Sequence, residues 1–268
     1  MRIARAASSI DPDRLDPACL TAFGQLVRDR LGLQTARNRE LLARKLWSTA
    51  ADAGLLETDP SSWVEQLVRS SQHSRCWAAM ADAVPNHETS FFRDVEQLQG
   101  AIAGLKPGPG PARLLSVGCS SGEEVFSLVM LLHEQLDALW GRQAEVWGVD
   151  VSPAALTRAR RAWYSAGAVD RAGVGPAGWH HRFLRAAEGG WNVRDLVRAR
   201  TRFHEANLAF PESLAVLGQF DVVLCRNVLI HFEPQAARLA VTTLRSLVRP
   251  GGALLLGAAE APLLGVGL

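Results

Sequence analysis

Apolar residues recur at helical spacing through the amino-terminal part of the chain, and then in short strand-like runs separated by amphipathic stretches. Between about Pro17 and Met80, Leu20, Phe23, Val27 and Leu31 share one helical face, and Leu41, Leu42, Leu46 and Trp47 repeat the pattern behind Asn38, a suitable N-cap. Asp59-Pro60 ahead of SSWVEQLV predicts a further helix start, with Asp as cap and Pro in the first turn. From Leu114 the pattern changes: LLSV, EVWGVD, RFHEANL, FDVVLCRN and ALLLG read as buried strands. Helices are predicted between them, including one that carries Val125, Leu128, Leu131 and Leu132 on its sheet face, then SPAALTRARRAW and PQAARLAVTTLRSLV. Strand and helix alternating from Leu114 to Gly257 predict a mainly parallel sheet covered on both faces.

Composition narrows the class. With 268 residues, 48% of them hydrophobic and 21% charged, the chain can bury a real core, and two units are expected. A formal net charge of +2 makes no general case for nucleic acid. No run of about eighteen apolar residues exists, so no membrane insertion is expected. MRIARAASSID lacks the apolar stretch of a signal peptide. Cys19, Cys76, Cys119 and Cys225 are scattered without a C-x-x-C pair, which suits a cytoplasmic protein. The expected organisation is a helical domain at 1–85, a linker at 86–112 containing NHETSFFRD and the Pro/Gly loop LKPGPGPAR, and an α/β domain at 113–268. A small β-subdomain is expected at about 178–204, where RFLRAAE and WNVRDLV flank Gly189-Gly190. Arginines crowd the stretch from Gly167 to Arg202; they form either a solvated face or a docking surface for an acidic partner.

Candidate chemistry gathers at the carboxyl ends of the predicted strands. The first strand ends in Gly118-Cys119-Ser120-Ser121-Gly122, and a helix then opens on Glu123-Glu124. The second ends in Asp150, where doubly wound folds commonly carry a carboxylate for ribose hydroxyls. Asn207 and Arg226-Asn227 end later strands on the same rim. The turn lacks the Walker lysine and is too poor in glycine for a dinucleotide fingerprint. No G-x-S-x-G elbow is present, and His133-Glu134 is followed by Asp137 where a zinc motif needs its second histidine. An adenosine ligand without a phosphate cradle leaves S-adenosylmethionine as the leading choice.

NHETSFFRD, LLSVGCSSGEEVFSL, VWGVDVSPAALTRAR, ANL, FDVVLCRNVLIHF and LVRPGGALLLGAAE resemble, in order and spacing, the chemotaxis receptor methyltransferases, the CheR family. The resemblance implies a Rossmann-like class I S-adenosylmethionine-dependent methyltransferase sheet with an N-terminal helical domain and a small inserted β-subdomain. It implies a cytoplasmic protein-glutamate O-methyltransferase that esterifies glutamates on the cytoplasmic helical region of chemoreceptors, with S-adenosylhomocysteine as by-product. By the same resemblance, His87, Thr89 and Arg93 fall at cofactor-contacting positions, Thr89 and Arg93 at the methionine end, and Glu124 is the second carboxylate of the GEE motif. Gly118 lies in the turn, Asp150 matches the ribose aspartate, and Asn207, Leu208, Arg226 and Asn227 match positions around the adenine and the methyl-transfer face. Arg93 and His231 are the candidate catalytic residues.

The chain departs from the family pattern at His231, where a tyrosine is usual, at His87, where an asparagine is usual beside Asn86, and at GAAE, Gly257 to Glu260, in place of GHSE. The stretch from Phe183 to Phe203 is shorter than in relatives that dock on a receptor's terminal pentapeptide, so no such docking is expected. The sequence stops just after GAAE, where the family adds a closing hairpin; the expectation is a truncated chain or a sheet edge finished by something else. Two other readings stand beside the active receptor methyltransferase: a catalytically weak or silent cofactor-binding adaptor, and a methyltransferase acting on another carboxylate.

Overall fold

The computed structural model describes residues 15–35, 38–71, 74–106, 110–135 and 144–260. The chain divides into two compact units, one of Met1–Asn86 and His231–Ala236, the other of His87–Ile230 and Ala237–Leu268.

The first unit is helical. Helix α1, Pro17–Leu31, begins where the Asp16 side chain accepts from the Ala18 amide and ends at Gly32, whose φ of +68° only glycine adopts without cost. Helix α2, Arg39–Ala53, is capped by Asn38, as its sequence predicts, and stops at Gly54. Helices α3, Pro60–Arg69, and α4, Arg75–Ala83, complete the set. On α2 the buried positions are Ala43, Leu46, Thr49, Ala50 and Ala53, whereas Leu41 is exposed. The predicted stripe through Leu41 is therefore displaced. The small side chains at 43, 50 and 53 let a neighbouring helix approach closely, and a first-turn leucine gains little from that contact. The segment from His231 to Ala236 is tied in by backbone bonds, with Gln34 N donating to His231 O at 2.7 Å and Glu233 N to Gly32 O at 2.9 Å.

The second unit carries α5, Val95–Ala103; β1, Ala112–Val117; α6, Glu123–Gln135; β2, Ala144–Asp150; and α7, Pro153–Arg161. An insert follows, comprising β3, Trp163–Ser165; α8, Ala166–Asp170; α9, Trp179–Phe183; β4, Leu184–Ala187; β5, Gly190–Val193; and α10, Asp195–Arg198. The unit closes with β6, Thr201–Glu205; α11, Glu212–Ala215; β7, Phe220–Cys225; α12, Pro234–Ser246, whose first turn groups with the helical unit; and β8, Val248–Leu256.

Five parallel strands run in the order β6-β2-β1-β7-β8. Leu114 and Leu115 of β1 are completely buried, as a strand covered on both faces requires. Because β1 has β2 on one side and β7 on the other, the strand order reverses at β1, and the crevice beyond its carboxyl end is where such sheets bind ligands. The small antiparallel sheet has the order β3-β5-β4. The β4-β5 hairpin lies in the stretch predicted to hold one, and β3 joins it from Trp163, amino-terminal to the expected 178–204.

Candidate functional site

The turn after β1 is built by backbone conformation. Gly118 (φ +71°), Ser120 (φ +49°) and Gly122 (φ +95°) alternate positive φ values across five residues, which coils the chain tightly between strand and helix. The amides of Gly118 and Cys119 both donate to Val149 O, at 2.8 and 3.0 Å, lashing the turn to the end of β2. The next residue of β2 is Asp150, 7% exposed. Its Oδ2 accepts from Ser120 N at 2.8 Å and its Oδ1 from Ser152 N at 2.9 Å. Burial raises the Asp150 pKa; the Ser152 and Ser120 amides and the His87 side chain pull against it. The carbonyl of His87 accepts from Ser120 Oγ at 3.0 Å, so His87, the turn and Asp150 meet at one serine.

A second cluster forms around Arg226, just past β7, whose side chain is 1% exposed. Its Nη2 donates to Arg93 O at 2.6 Å and lies 3.3 Å from Asp94 Oδ2, while Nε is 3.5 Å from Glu124 Oε2. The Glu124 carboxylate also accepts from Ser116 Oγ at 2.8 Å. Burial raises the Glu124 pKa, opposed first by the charge of Arg226. Among the described residues Arg226 Nε and Nη1 have no hydrogen-bond partner. Nε still faces the Glu124 carboxylate, so Nη1 is the buried nitrogen without an acceptor, which is costly unless a ligand or water meets it. The structure brings the Arg226 guanidinium to Glu124 and to the backbone of Arg93.

The FFRD segment is both core and strap. Phe91 and Phe92 are buried and pack with Trp179, at ring separations of 5.3 and 4.9 Å, and Phe92 N donates to Ser127 Oγ at 2.9 Å. Phe92 (φ +55°) and Asp94 (φ +48°) hold left-handed conformations that non-glycine residues adopt at a cost. Asp94 is engaged by Arg226, and Arg93 Nη1 reaches Glu88 O at 3.5 Å. Thr89 is half-buried on the same segment.

Beyond β6, Ala206 N donates to Asp150 O at 3.0 Å, which brings Asn207 and Leu208, both buried, next to the end of β2. Asn207 Oδ1 accepts from Ala209 N at 3.0 Å, turning the chain away from the strand. Asn227 has φ +60°, and the two amides after it, Val228 and Leu229, both donate to Glu260 Oε1 at 2.7 Å. Gly257 N donates to Glu260 Oε2 at 2.5 Å, and Glu260 is completely buried. Glu260, Ser120, Ser116 and Tyr164 are absent from the sequence-derived site; the one signal for Glu260 was the surviving glutamate of GAAE. His231 falls in the helical unit, outside the cluster of the second.

Open cavities of about 460 Å³ and 450 Å³ lie elsewhere on the second unit, the first lined by Arg160, Arg198 and Arg202 among others, the second by His133, Glu145 and Arg200. None of the candidate site residues lines either cavity. Among the described residues no group of His, Cys, Asp and Glu could hold a metal ion.

Residues 87–263 match the family model described as CheR methyltransferase, SAM binding domain. The chain belongs to the CheR methyltransferase family. Chemotaxis protein methyltransferase Cher2 of Pseudomonas putida is 34% identical over 191 residues, 68% of this chain and 68% of that one. The chemotaxis protein methyltransferase of Vibrio anguillarum is 29% identical over 247 residues, 89% of this chain and 87% of that one. The probable biofilm formation methyltransferase WspC of Pseudomonas putida is 30% identical over 250 residues, 90% of this chain and 56% of that one. Among solved structures, the glycopeptide N-methyltransferase MtfA complexed with sinefungin aligns at 16% identity and a TM-score of 0.39, covering 66% of this chain and 53% of that one.

The fold is that of the Rossmann-like class I methyltransferases, and the cofactor of this CheR-family chain is S-adenosylmethionine. Two observations fit that cofactor. A buried carboxylate, Asp150, ends the strand next to the topological switch point, and the unpartnered Arg226 Nη1 belongs to a guanidinium beside Glu124, a donor and acceptor set suited to a zwitterionic amino acid. Among the described residues no helix is long and apolar enough to cross a membrane.

Proposed function

We propose that this CheR-family chain methylates glutamate side chains on the cytoplasmic helical region of chemoreceptors, producing γ-glutamyl methyl esters. The observation that carries this reading is the match of residues 87–263 to the CheR methyltransferase domain, joined to relatives named as chemotaxis protein methyltransferases. When bound, the cofactor supplies an electrophilic methyl group on its sulfonium. Asp150 accepts hydrogen bonds from the ribose at the end of β2, beside the turn that carries Gly118. Glu124 takes the cofactor ammonium, while Arg226, Arg93 and Thr89 hold its carboxylate end; the unsatisfied Nη1 of Arg226 supports this assignment. His87, Asn207, Leu208 and Asn227 line the remaining wall.

The receptor glutamate is already ionised at neutral pH, so the transfer needs no strong base. The protein's work is alignment of the carboxylate oxygen with the methyl carbon and exclusion of water, for which effective molarities of roughly 10⁵ to 10⁸ M are available. Arg93 balances the incoming charge of the substrate carboxylate. The reaction is cytoplasmic and does not use a terminal pentapeptide tether.

A second reading, in which the methylated protein serves biofilm signalling and not chemotaxis, is favoured by the likeness to WspC across 90% of the chain. The experiment is transfer of labelled methyl from S-adenosylmethionine to receptor cytoplasmic fragments from both kinds of pathway. Base-labile label that disappears when the receptor glutamates are replaced by alanine is the expected result. Tight binding of S-adenosylhomocysteine with no label on either fragment would sink the active-enzyme reading and leave the adaptor.

A further inference from the structure

Tyr164 is the only tyrosine in the chain, lies in β3 of the small sheet, and is 5% exposed. Its ring packs edge-on against Phe91 at 4.8 Å and Phe126 at 6.2 Å. From there its hydroxyl crosses to the turn after β1 and donates to Ser121 O at 2.5 Å. The accepting carbonyl belongs to the Ser121–Gly122 peptide, between Ser120 at φ +49° and Gly122 at φ +95°. That peptide is joined directly to Gly122, whose positive φ leaves alternative orientations within reach, so an external donor selects among them. The orientation matters because Ser120 N, two peptide units earlier in the same tight turn, is the donor to Asp150 Oδ2, and Ser121 Oγ donates to Glu123 Oε2 at 2.8 Å.

Tyr164 is itself held from the insert. It pairs with Trp191 in the antiparallel ladder to β5, and a Cβ on Gly190 would fall 2.1 Å from Tyr164 O, so the two strands meet as closely as glycine permits. The same insert grips the FFRD segment, where Gly173 N donates to Phe91 O at 2.7 Å.

We infer that Tyr164 is a positioning residue for the cofactor, acting through the Ser121 carbonyl on the turn that presents Ser120 to Asp150. The small sheet thereby sets the affinity of the cofactor site and is more than an appendage on the methyltransferase fold. This rests on cofactor binding and is independent of which carboxylate is methylated.

The test is calorimetric titration of the whole chain with S-adenosylhomocysteine. Tyr164→Phe keeps the ring and removes one buried hydrogen bond, and its affinity is expected to fall about three- to tenfold. Val193→Ala, which removes a buried methyl pair from β5 of the same sheet and leaves the hydroxyl, is expected to lower the melting temperature yet keep affinity within about twofold. In a second measurement on the wild-type sequence, 3-fluorotyrosine labelling gives one ¹⁹F resonance, which is expected to shift when S-adenosylhomocysteine saturates the protein. Wild-type affinity in Tyr164→Phe overturns the inference, as does equal weakening by Val193→Ala or a resonance unmoved at saturation. A wild-type chain that binds no S-adenosylhomocysteine overturns both this inference and the cofactor assignment; normal binding with no effect of Tyr164→Phe overturns this inference alone.

Discussion

Gly118→Ala is the substitution whose cost the structure defines best. A Cβ built on Gly118 would lie 2.5 Å from Val228 Cγ2 and 3.4 Å from Val228 Cγ1, at a backbone φ of +71°. Holding alanine in the left-handed region costs about 1–2 kcal/mol. Forcing a methyl group against an immobile neighbour adds about 1–3 kcal/mol. Val228 has little freedom to retreat: its amide is bound to Glu260 Oε1 at 2.7 Å, and Asn227 before it is itself at φ +60°. The expected destabilisation is therefore about 2–5 kcal/mol, read from urea unfolding followed by tryptophan fluorescence. The two parts separate in a double-mutant cycle with Val228→Ala, which removes the obstruction and leaves the backbone strain. Coupling of about 1–3 kcal/mol in the direction of rescue is expected, with about 1–2 kcal/mol unrecovered. A Gly118→Ala cost below about 1 kcal/mol, or no relief from Val228→Ala, would refute the claim that this turn is closed by contact with Val228.

Two further predictions concern buried carboxylates. Glu260→Gln leaves a single acceptor oxygen for the amides of Val228, Leu229 and Gly257 and should cost about 1–3 kcal/mol for each donor left unmet; an unchanged urea midpoint would contradict the three-amide arrangement. Glu123 has a pKa raised by burial above its ordinary value of 4.5, so the folded chain binds that proton more tightly than the unfolded chain does. Its contribution to stability is full below about pH 4.5 and is lost as pH rises through the folded value, so the stability difference between wild type and Glu123→Gln should move in favour of the variant from about pH 4 to pH 7. A pH-independent difference would show that Glu123 is not titrating in a buried site.

The candidate site was only partly legible in the sequence. Gly118, Asp150, Asn207 and Arg226 could be assigned to one rim because each follows a strand-like run, and parallel strands present their carboxyl ends together. What each side chain does there was not legible. Both oxygens of Asp150 are engaged by amides, one from the β1 turn and one from its own following turn. Arg226 reaches Glu124 because β7 pairs with β1, Leu224 beside Ser116, across about a hundred residues of sequence. Nothing near Arg226 in the chain announces that partner. The FFRD segment reads in the sequence as part of a linker, and the structure buries its two phenylalanines against Trp179 while Asp94 meets Arg226.

What the sequence determined by itself is whatever depends on neighbours a few residues apart. That covers the helix cap at Asn38, the strand–helix alternation from Leu114 onward, and the ordered motifs that mark the CheR family. Side-chain periodicity and capping are local, so they survive in a one-dimensional string. Only the tertiary structure decided that Leu41 lies outside the helical core, that Glu260 collects three amides, and that Tyr164 reaches from the small sheet to Ser121. Those contacts arise from hydrogen-bond geometry good to a few tenths of an ångström between segments 31 to 43 residues apart in the case of Glu260 and Tyr164. That precision is set by close packing of the assembled sheet and by no pattern along the chain.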